Sequence, residues 1–468
     1  MVVSSAYSGK TVLVVGAGRS GIAAARFLLA SGARIVLTDE KNTEVLRNDL
    51  KPLFDMKGYS GELILEVGGH RSMSFSECDF VVVSPGVPLT LPHFQICRKA
   101  GIPIIGEIEL AGRHLNGKII GITGSNGKTT TTTIVSELLV GAGLKGYAAG
   151  NIGSPLINFV SQSSPEDIYA VELSSFQLET IDKFRPFIGA ILNLTPDHLD
   201  RYGDFEDYIT AKRRIFVNQE KTDFAVLNAD DDRTAAMVDA VRATPVMFSR
   251  RKTVDYGVFV RGSRLIFRSG EREKDLLSLS AIMLKGEHNL ENVLAACTMA
   301  ILAGAAPESL EETVRTFRGV EHRIERVSDL DGVEYFNDSK ATNIDAAIKS
   351  LEAFAGNILL IAGGRDKGSD FTRLRSLVRN KVKHLVLIGE ASAKIRTALS
   401  GVTEISEADS MQEAVSTCRR LAQPGDTVLL APACSSFDMF RDYEERGRIY
   451  KDAVRYEISR RVPSAIDS

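Results

Sequence analysis

The sequence predicts an α/β protein of three domains, and three observations support this prediction. Short β-branched runs alternate with longer helical patterns along almost the whole chain, which is typical of parallel sheets covered by helices. The chain has 468 residues, about three times the ~150 residues of an average domain. Two glycine-rich loops each follow a predicted strand and precede a predicted helix, as phosphate-binding loops do.

Composition excludes several classes of protein. The formal net charge is −3 and the charged residues make up 25% of the chain, with no basic patch that would indicate a nucleic-acid partner or an anionic membrane. No run approaches the ~20 apolar residues of a membrane-spanning helix, and the first ten residues do not resemble a signal peptide. The five cysteines are scattered and never form a C-x-x-C pair, so we expect no disulfide framework and a cytoplasmic protein.

The first predicted domain, residues 1–106, is Rossmann-like. Its first strand, at 11–16, leads into the glycine-rich loop GAGRSG and a helix at 22–32. The next strand ends at Asp39, and a later one ends in the turn SPG at 84–86. A G-x-G-x-x-G loop followed after about 20 residues by an acidic residue is the dinucleotide fingerprint. An NAD-dependent dehydrogenase therefore remains one interpretation of this part of the chain.

The second predicted domain, residues 107–319, is expected to bind ATP on a parallel sheet. The strand at 118–123 is followed by the loop GSNGKTT and then by a helix. Glycines let backbone N–H groups turn toward phosphate oxygens, and a helix N-terminus adds partial positive charge. Lys128 is expected at the β- and γ-phosphates and the Thr129 hydroxyl at Mg²⁺. The spacing departs from a strict phosphate-loop motif because Ile122 occupies the position of its first glycine.

Two later strands of this domain end in groups that suit a metal ion. One strand, at 168–173, carries Glu172 near its end, and the next is followed by Asp197, His198 and Asp200. Carboxyl ends of parallel strands share one edge of a sheet, which brings these side chains toward the phosphate loop. Lys212 follows on a predicted helix.

The third predicted domain, residues 320–468, is a second Rossmann-like α/β unit. Its predicted strands, at 357–364, 384–389 and 426–432, end in small residues or proline. The stretch from about 245 to 280 differs from the rest, because short strands, charges and turns there predict an antiparallel insertion.

The motifs together resemble those of the Mur ligases, the ATP-dependent amino-acid-adding enzymes of peptidoglycan synthesis. In order along the chain they are TGSNGKTT, NIGSP, VELSSFQLE, LNLTPDHLDRYG, YITAKRRIF, GEHNLENVLAA, EHRIE, NDSKATN, GGRDKG and PACSSFDMFRDYEERG. The resemblance covers nearly the whole chain. Folylpolyglutamate synthase, in the same superfamily, lacks the N-terminal domain, and the D-N-P-R string of the diaminopimelate- or lysine-adding ligase is absent from this sequence.

The resemblance implies a reaction and its partners. The carboxylate of UDP-N-acetylmuramoyl-L-alanine is expected to attack ATP, giving an acyl phosphate that D-glutamate then captures, with two Mg²⁺ ions as cofactors. The first glycine-rich loop then anchors the UDP group of the substrate instead of a nicotinamide cofactor. A monomer is expected, with no nucleic acid and no membrane insertion. The alternatives are a Mur-type ligase for another amino acid, a dehydrogenase, or a non-enzymatic ATP-binding switch.

The resemblance also implies the site residues. The catalytic set is Lys128, Glu172, His198 and Lys212, the last as a carbamylated lysine. The Mg²⁺ ligands are Thr129, Glu172, His198 and Lys212. The ATP contacts are Gly124, Ser125, Asn126, Gly127, Lys128, Thr129, Thr130, Asn289, Asn292, Arg323 and Asp338. The substrate contacts are Gly16, Gly18, Arg19, Ser20, Asp39, Ser84, Pro85, Gly86, Asn151, Thr342, Lys367, Ser436 and Tyr443. Tyr443 stands where the family pattern has Phe. Because these residues come from all three predicted domains, we expect domain closure to assemble the site.

Overall fold

The computed structural model describes residues 6–197, 201–284, 286–366 and 368–460 of the chain. The chain divides into two compact units, Met1–Phe317 and Arg318–Ser468. The described residues form sheets of five, nine and six strands, the first two in the first unit. Among the helices of these described ranges, none is long and apolar enough to cross a bilayer.

The first sheet is parallel throughout and has the strand order β3-β2-β1-β4-β5. Its strands are β1 (Thr11–Val15), β2 (Arg34–Asp39), β3 (Glu62–Val67), β4 (Phe80–Val83) and β5 (Ile104–Gly106). Its helices are α1 (Arg19–Ala30), α2 (Thr43–Phe54), α3 (Ser72–Ser76), α4 (Phe94–Ala100) and α5 (Glu107–Gly112). The order reverses between β1 and β4, and such a switch point leaves a ligand crevice at the carboxyl ends of the two strands.

The apolar run of β1 follows from burial on both faces of this sheet. Val12 and Val14 pack into one apolar cluster, and Leu13 and Val15 pack into the cluster on the opposite face. A strand covered on both faces has no solvent-facing positions, so its sequence is continuously apolar.

The second sheet has the order β14-β13-β12-β11-β10-β9-β6-β8-β7. Its strands are β6 (Lys118–Thr123), β7 (Lys145–Gly150), β8 (Asp167–Glu172), β9 (Ile188–Ile191), β10 (Phe224–Asn228), β11 (Thr244–Ser249), β12 (Tyr256–Arg261), β13 (Arg264–Ser269) and β14 (Arg272–Ser278). Its helices are α6 (Lys128–Gly141), α7 (Ser175–Leu178), α8 (Phe205–Arg213), α9 (Asp232–Ala235), α10 (Glu287–Ala303) and α11 (Leu310–Thr316). The 3₁₀ helices of this unit span Leu156–Gln162, Arg214–Phe216, Val238–Ala240, Leu279–Ala281 and Pro307–Ser309. Strands β6 to β12 pair parallel with one another.

The antiparallel stretch expected at 245–280 is narrower than predicted. β11 pairs parallel with β10, and β12 pairs parallel with β11, so antiparallel pairing begins only between β12 and β13. The stretch also extends the central sheet at its edge and is not a separate sheet. Turns and charges mark hairpins in a sequence, but they do not show which sheet the hairpin joins.

The six-stranded sheet forms the second unit, with the order β15-β16-β20-β17-β18-β19. Its strands are β15 (Glu325–Leu330), β16 (Val333–Asn337), β17 (Ile358–Gly363), β18 (Val382–Ile388), β19 (Glu404–Glu407) and β20 (Thr427–Leu430). The helices are α12 (Ile344–Glu352), α13 (Arg375–Lys381), α14 (Ser392–Leu399), α15 (Met411–Leu421) and α16 (Tyr443–Ser459), with a 3₁₀ helix at Phe371–Leu374. Only β15, at one edge, pairs antiparallel among the described strands of this sheet.

Candidate active site

The loop between β6 and α6 has the backbone geometry of a phosphate loop. Gly127, directly before α6, has φ +81, a left-handed conformation that favours glycine. A Cβ on Gly127 would lie 2.2 Å from Asn292 Oδ1 on α10, so an added side chain would have to displace the Asn292 carboxamide. Lys128 Nζ donates to the carbonyl oxygens of Gly124 and Ser125, both at 2.9 Å. The first turn of α6, the glycines and the lysine together suit a chain of phosphates.

Hydrogen bonds anchor this loop to the segment after β9. Ser125 N donates to Asn193 O at 3.0 Å, and Ser125 Oγ accepts from Thr195 N at 2.9 Å. Asn126 N donates to Asn193 Oδ1 at 2.8 Å. The segment that leads to the predicted metal ligand His198 is therefore held against the loop, although His198 itself lies outside the described residues.

Lys212 lies beneath the phosphate loop. Helix α8 carries it, and Asp204 caps the start of that helix by accepting from Asp207 N at 2.9 Å. The Lys212 side chain is only 1% exposed. Its Nζ donates to Gly124 O at 2.9 Å and lies 4.6 Å from the centre of the Tyr208 ring, one helical turn earlier. Although Lys212 stands in a K-R-R run, it does not lie on the surface.

The charge state of Lys212 differs from that of an ordinary lysine. Burial and, second to it, the nearby Lys128 ammonium lower the pKa of Lys212 from 10.5 to about 6, against the opposing effect of Asp197 and Glu172. An amine with this pKa is mostly unprotonated near neutral pH, and a neutral amine is a nucleophile.

Glu172 is the last residue of β8, and only one of its two carboxylate oxygens accepts a hydrogen bond from the described residues. The residue is 3% exposed, its Oε1 accepts from Asn151 Nδ2 at 2.9 Å, and its Oε2 is buried with no hydrogen-bond partner among the described residues. A buried carboxylate oxygen without a donor is costly unless a cation binds it. Thr129, in the first turn of α6, is buried as well. A hydroxyl and a carboxylate are oxygen ligands of the kind Mg²⁺ prefers, so the residues present fit this metal.

These two oxygens do not complete a metal site. Within the described ranges, no three His, Cys, Asp or Glu side chains come together as a metal-binding group. Further ligands would have to come from the nucleotide, from a modified Lys212, or from His198.

The first glycine-rich loop lies at the switch point of the first sheet. Gly16 has φ +94, and a Cβ there would lie 2.9 Å from Ser84 Cβ. Ser84 Oγ donates to Gly16 O at 2.8 Å. Asp39 Oδ2 accepts from Ala17 N at 2.7 Å, and Oδ1 accepts from Lys41 N at 2.9 Å. The structure brings these predicted residues together, and the Asp39 carboxylate supports the loop.

Two predicted substrate residues bond to the protein itself. The Arg19 guanidinium donates to Gly153 O, and the Asn151 carboxamide donates to Glu172. Both contacts involve the turn that joins β7 to the following 3₁₀ helix. The remaining predicted residues of the first unit lie in loops or in the first turns of helices. Gly18 and Ser20 are at the start of α1, Pro85 and Gly86 are in the SPG turn, Thr130 is in the first turn of α6, and Asn289 is in the first turn of α10.

Arg201 was not predicted, and it joins the two sheets of the first unit. Its Nη1 donates to Pro85 O at 3.0 Å in the SPG turn. Its guanidinium carbon lies 3.8 Å from the centre of the Phe176 ring, and its Nη2 lies 3.4 Å from Glu179 Oε2. Tyr202, the next residue, also donates to Glu179. The only signal in the sequence was the position of Arg201 inside the motif LNLTPDHLDRYG.

In the second unit, Asp338 follows β16 and is buried. It accepts a hydrogen bond from Ser350 Oγ on α12. Burial raises the pKa of Asp338, while the Ser350 hydrogen bond and the Arg323 charge oppose this effect. Arg323 is exposed and close enough for its charge to act on this carboxylate.

Arg446 also was not predicted. It is fully buried on α16, and burial lowers its pKa to about 10. Its Nε and Nη2 donate to Ser339 Oγ at 3.0 Å and Ser339 O at 2.9 Å, and its Nη1 donates to Cys434 O at 3.1 Å. Arg446 therefore joins the segment with Asp338 to the segment with Ser436, both of which carry predicted ligand contacts.

Among the described residues, two of the predicted amino-acid contacts of this unit follow strands: Thr342 comes after β16 and Ser436 after β20. Tyr443 begins α16, and its ring packs edge-on at 6.2 Å from the His322 ring. Ser436 is buried and Thr342 is half-buried. Lys367 lies outside the described residues.

Comparison with known proteins agrees with this architecture. Three protein-family models match the chain: "Mur ligase MurD-like, N-terminal domain" over residues 10–106, "Mur ligase middle domain" over 122–300, and "Mur ligase, glutamate ligase domain" over 322–434. The chain belongs to the Mur ligase family, so it is an ATP-dependent ligase that forms a C–N bond. Membership of this family sets aside the dehydrogenase and switch interpretations.

Two individual relatives with the same name are similar to this chain over nearly its whole length. The chain is 48% identical to the UDP-N-acetylmuramoylalanine--D-glutamate ligase of Koribacter versatilis, covering 96% of this chain and 97% of that one. It is 45% identical to the ligase of the same name from Pelotomaculum thermopropionicum, covering 96% and 98%.

Solved structures show the same fold. UDP-N-acetylmuramate-alanine ligase MurC from Thermotoga maritima matches with a TM-score of 0.54 at 18% identity, covering 96% of this chain and 100% of that one. MurF from Acinetobacter baumannii matches with a TM-score of 0.54 at 17% identity, covering 96% and 92%.

Proposed function

We propose that the protein joins D-glutamate to UDP-N-acetylmuramoyl-L-alanine, with ATP converted to ADP and phosphate. The names of its relatives support these substrates. The structural observation that carries the proposal is the Lys212 amine, buried beneath the phosphate loop beside Lys128 and Glu172. A nucleotide-binding switch does not require a buried lysine at this position. Carboxylate activation by ATP does, because a carbamylated Lys212 would hold Mg²⁺ there.

The proposed reaction has two steps. The alanine carboxylate attacks the γ-phosphorus of ATP, the bond to the bridging oxygen breaks, and ADP leaves as an acyl phosphate forms. The amine of D-glutamate then attacks the acyl carbon, loses a proton, and displaces phosphate to give the amide. Lys128 and the first turn of α6 lower the energy of the first step, because negative charge accumulates on the transferring phosphoryl group.

Thr129, Glu172, His198 and a carbamylated Lys212 would hold Mg²⁺ in this reaction, with two ions expected. The metal supplies positive charge between two anions that must approach each other. Glu172 would contribute Oε2, which has no hydrogen-bond partner among the residues that the structure describes, and Thr129 would contribute its hydroxyl.

Carbamylation of Lys212 follows from its chemistry. The neutral amine adds to the carbon of CO₂, a C–N bond forms, and one proton is released to solvent. The product is an anion, so the Lys128 ammonium attracts it, whereas the same ammonium disfavours the protonated form of Lys212. The lowered pKa of Lys212 supports this step because it supplies the unprotonated amine at neutral pH.

The remaining assignments are part of the same proposal. Residues 1–106 would hold the UDP group, 107–319 the ATP, and 320–468 the amino acid. The UDP group would contact Gly16, Gly18, Arg19, Ser20, Asp39, Ser84, Pro85 and Gly86, with Asn151 near the muramoyl-alanine part. ATP would also contact Asn289, Asn292, Arg323 and Asp338. D-Glutamate would contact Thr342, Lys367, Ser436 and Tyr443. The five cysteines are all buried and unpaired, which supports the expected cytoplasmic location.

A ligation assay tests the proposal. Purified protein is supplied with ATP, Mg²⁺ and UDP-N-acetylmuramoyl-L-alanine, together with one member of a panel of D- and L-amino acids, and released phosphate and ligated product are measured. We expect product only with D-glutamate. Product with a different amino acid would replace the proposed substrate, and phosphate release without any amino acid or UDP substrate would contradict a ligase with these substrates.

A further inference from the structure

Asn151 makes two hydrogen bonds to Glu172. Its backbone N donates to Glu172 O at 2.9 Å, and its Nδ2 donates to Glu172 Oε1 at 2.9 Å. Gly150, the last residue of β7, pairs with Glu172 in the parallel register of β7 and β8. A Cβ on Gly150 would lie 2.4 Å from Glu172 O, so the turn lies directly against the end of β8. One residue thus holds both the backbone and the side chain of Glu172.

These contacts determine which carboxylate oxygen stays available. Because Oε1 is held by the Asn151 carboxamide, rotation of the carboxylate would break this part-buried hydrogen bond. Within the described part of the chain, Oε2 has no hydrogen-bond partner, and it is buried, so it is the oxygen offered to a cation. We propose that Asn151 is a positioning residue for the metal-binding carboxylate Glu172. This inference rests on the proposed function, which makes Glu172 a Mg²⁺ ligand.

The same turn is attached to the first glycine-rich loop. The Arg19 guanidinium donates to Gly153 O, two residues after Asn151, and Gly150 N donates to Ser154 O at 3.0 Å to close the turn. A continuous series of contacts therefore runs from the loop assigned to the UDP group, through the turn, to the carboxylate assigned to the metal. The position of Glu172 Oε2 depends on Arg19 through this series.

Metal affinity tests this role separately from catalysis. Mn²⁺ replaces Mg²⁺, and free Mn²⁺ is measured by electron paramagnetic resonance during titration of the full-length protein with a non-hydrolysable ATP analogue. Loss of a residue that orients a metal ligand lowers metal affinity by about 10- to 100-fold, and we expect this effect for Asn151→Ala. Asn158→Ala is the matched control: it removes an exposed amide of the same segment, bonded to Ser154 Oγ at 2.9 Å. Arg19→Ala should weaken Mn²⁺ binding severalfold.

A double-mutant cycle shows whether Asn151 acts through Glu172. In a Glu172→Gln background the carboxylate is gone, so adding Asn151→Ala should change Mn²⁺ affinity by less than about twofold. The inference is overturned if Asn151→Ala alone matches wild type, or if its effect persists in the Glu172→Gln background. If Glu172→Gln itself leaves Mn²⁺ binding intact, the metal assignment in the proposed function fails instead. No UDP substrate or amino acid is present, so these outcomes do not depend on which amino acid the enzyme adds.

Discussion

Replacing Lys212 by methionine removes the buried amine and keeps an unbranched apolar side chain. The unfolded chain binds a proton at Lys212 up to its ordinary pKa of 10.5, whereas the folded chain releases it at about 6. Below pH 6 the amine is charged in both states, and the folded state carries the full cost of burying that charge. Between these two pH values the unfolded state binds more protons, so the stability of wild type rises with pH. Above 10.5 the amine is neutral in both states and the cost is absent.

The size of the effect follows from the two pKa values. Each pH unit in the window adds about 1.4 kcal/mol to the free energy of unfolding, so the whole window corresponds to about 6 kcal/mol. Lys212 is 1% exposed, so solvent screening reduces this figure little. Between about pH 7 and pH 9, wild type should gain about 3 kcal/mol relative to Lys212→Met.

The measurement is equilibrium unfolding of both proteins across this pH range. CO₂-free buffer without divalent metal keeps Lys212 unmodified, and the difference between the two curves cancels the titration of all other groups. A difference that stays constant within about 0.5 kcal/mol from pH 7 to pH 9 would refute a neutral Lys212 amine. It would also remove the physical basis that we give for carbamylation.

Three further predictions concern the first unit. Lys212→Ala should abolish ligation, and a short-chain carboxylic acid should partly restore it by replacing the carbamate; full activity of the variant would contradict the carbamate. Gly127→Ala puts a methyl group 2.2 Å from Asn292 Oδ1 at φ +81, so ATP affinity measured by calorimetry should fall at least ~10-fold while circular dichroism stays unchanged. Unaltered ATP binding would count against the phosphate loop. Arg201→Gln removes the donor to Pro85 O, so the KM for the UDP substrate should rise severalfold while that for ATP stays the same, and equal changes in both would argue against a role at the UDP site.

Several features of this protein can be predicted from short contiguous stretches of its sequence. The strand, glycine-rich loop and helix at 118–141 are a contiguous signal, and the structure has β6 followed by α6 there. The apolar run of β1 also indicates its strand, since burial on both faces of the sheet leaves a continuous apolar sequence. Exposed edge strands such as β3 and β15 gave weak signals, because solvent-facing positions dilute the apolar pattern.

The roles of residues that contact distant parts of the chain became visible only in the folded structure. Lys212 stands in a charged run that looks solvent-exposed, and its burial depends on α8 packing beneath a loop some 88 residues earlier in the chain. Likewise, the sequence analysis predicts Asn151 only as a ligand contact and makes no prediction for Arg201. In the structure, Asn151 bonds to Glu172, and Arg201 joins the two sheets of the first unit. The α/β alternation, the two glycine-rich loops and the resemblance to the family could all be recognised from the amino-acid sequence. The protonation of Lys212 and the orientation of Glu172 required the fold, because desolvation and hydrogen-bond geometry depend on atoms that only folding brings together.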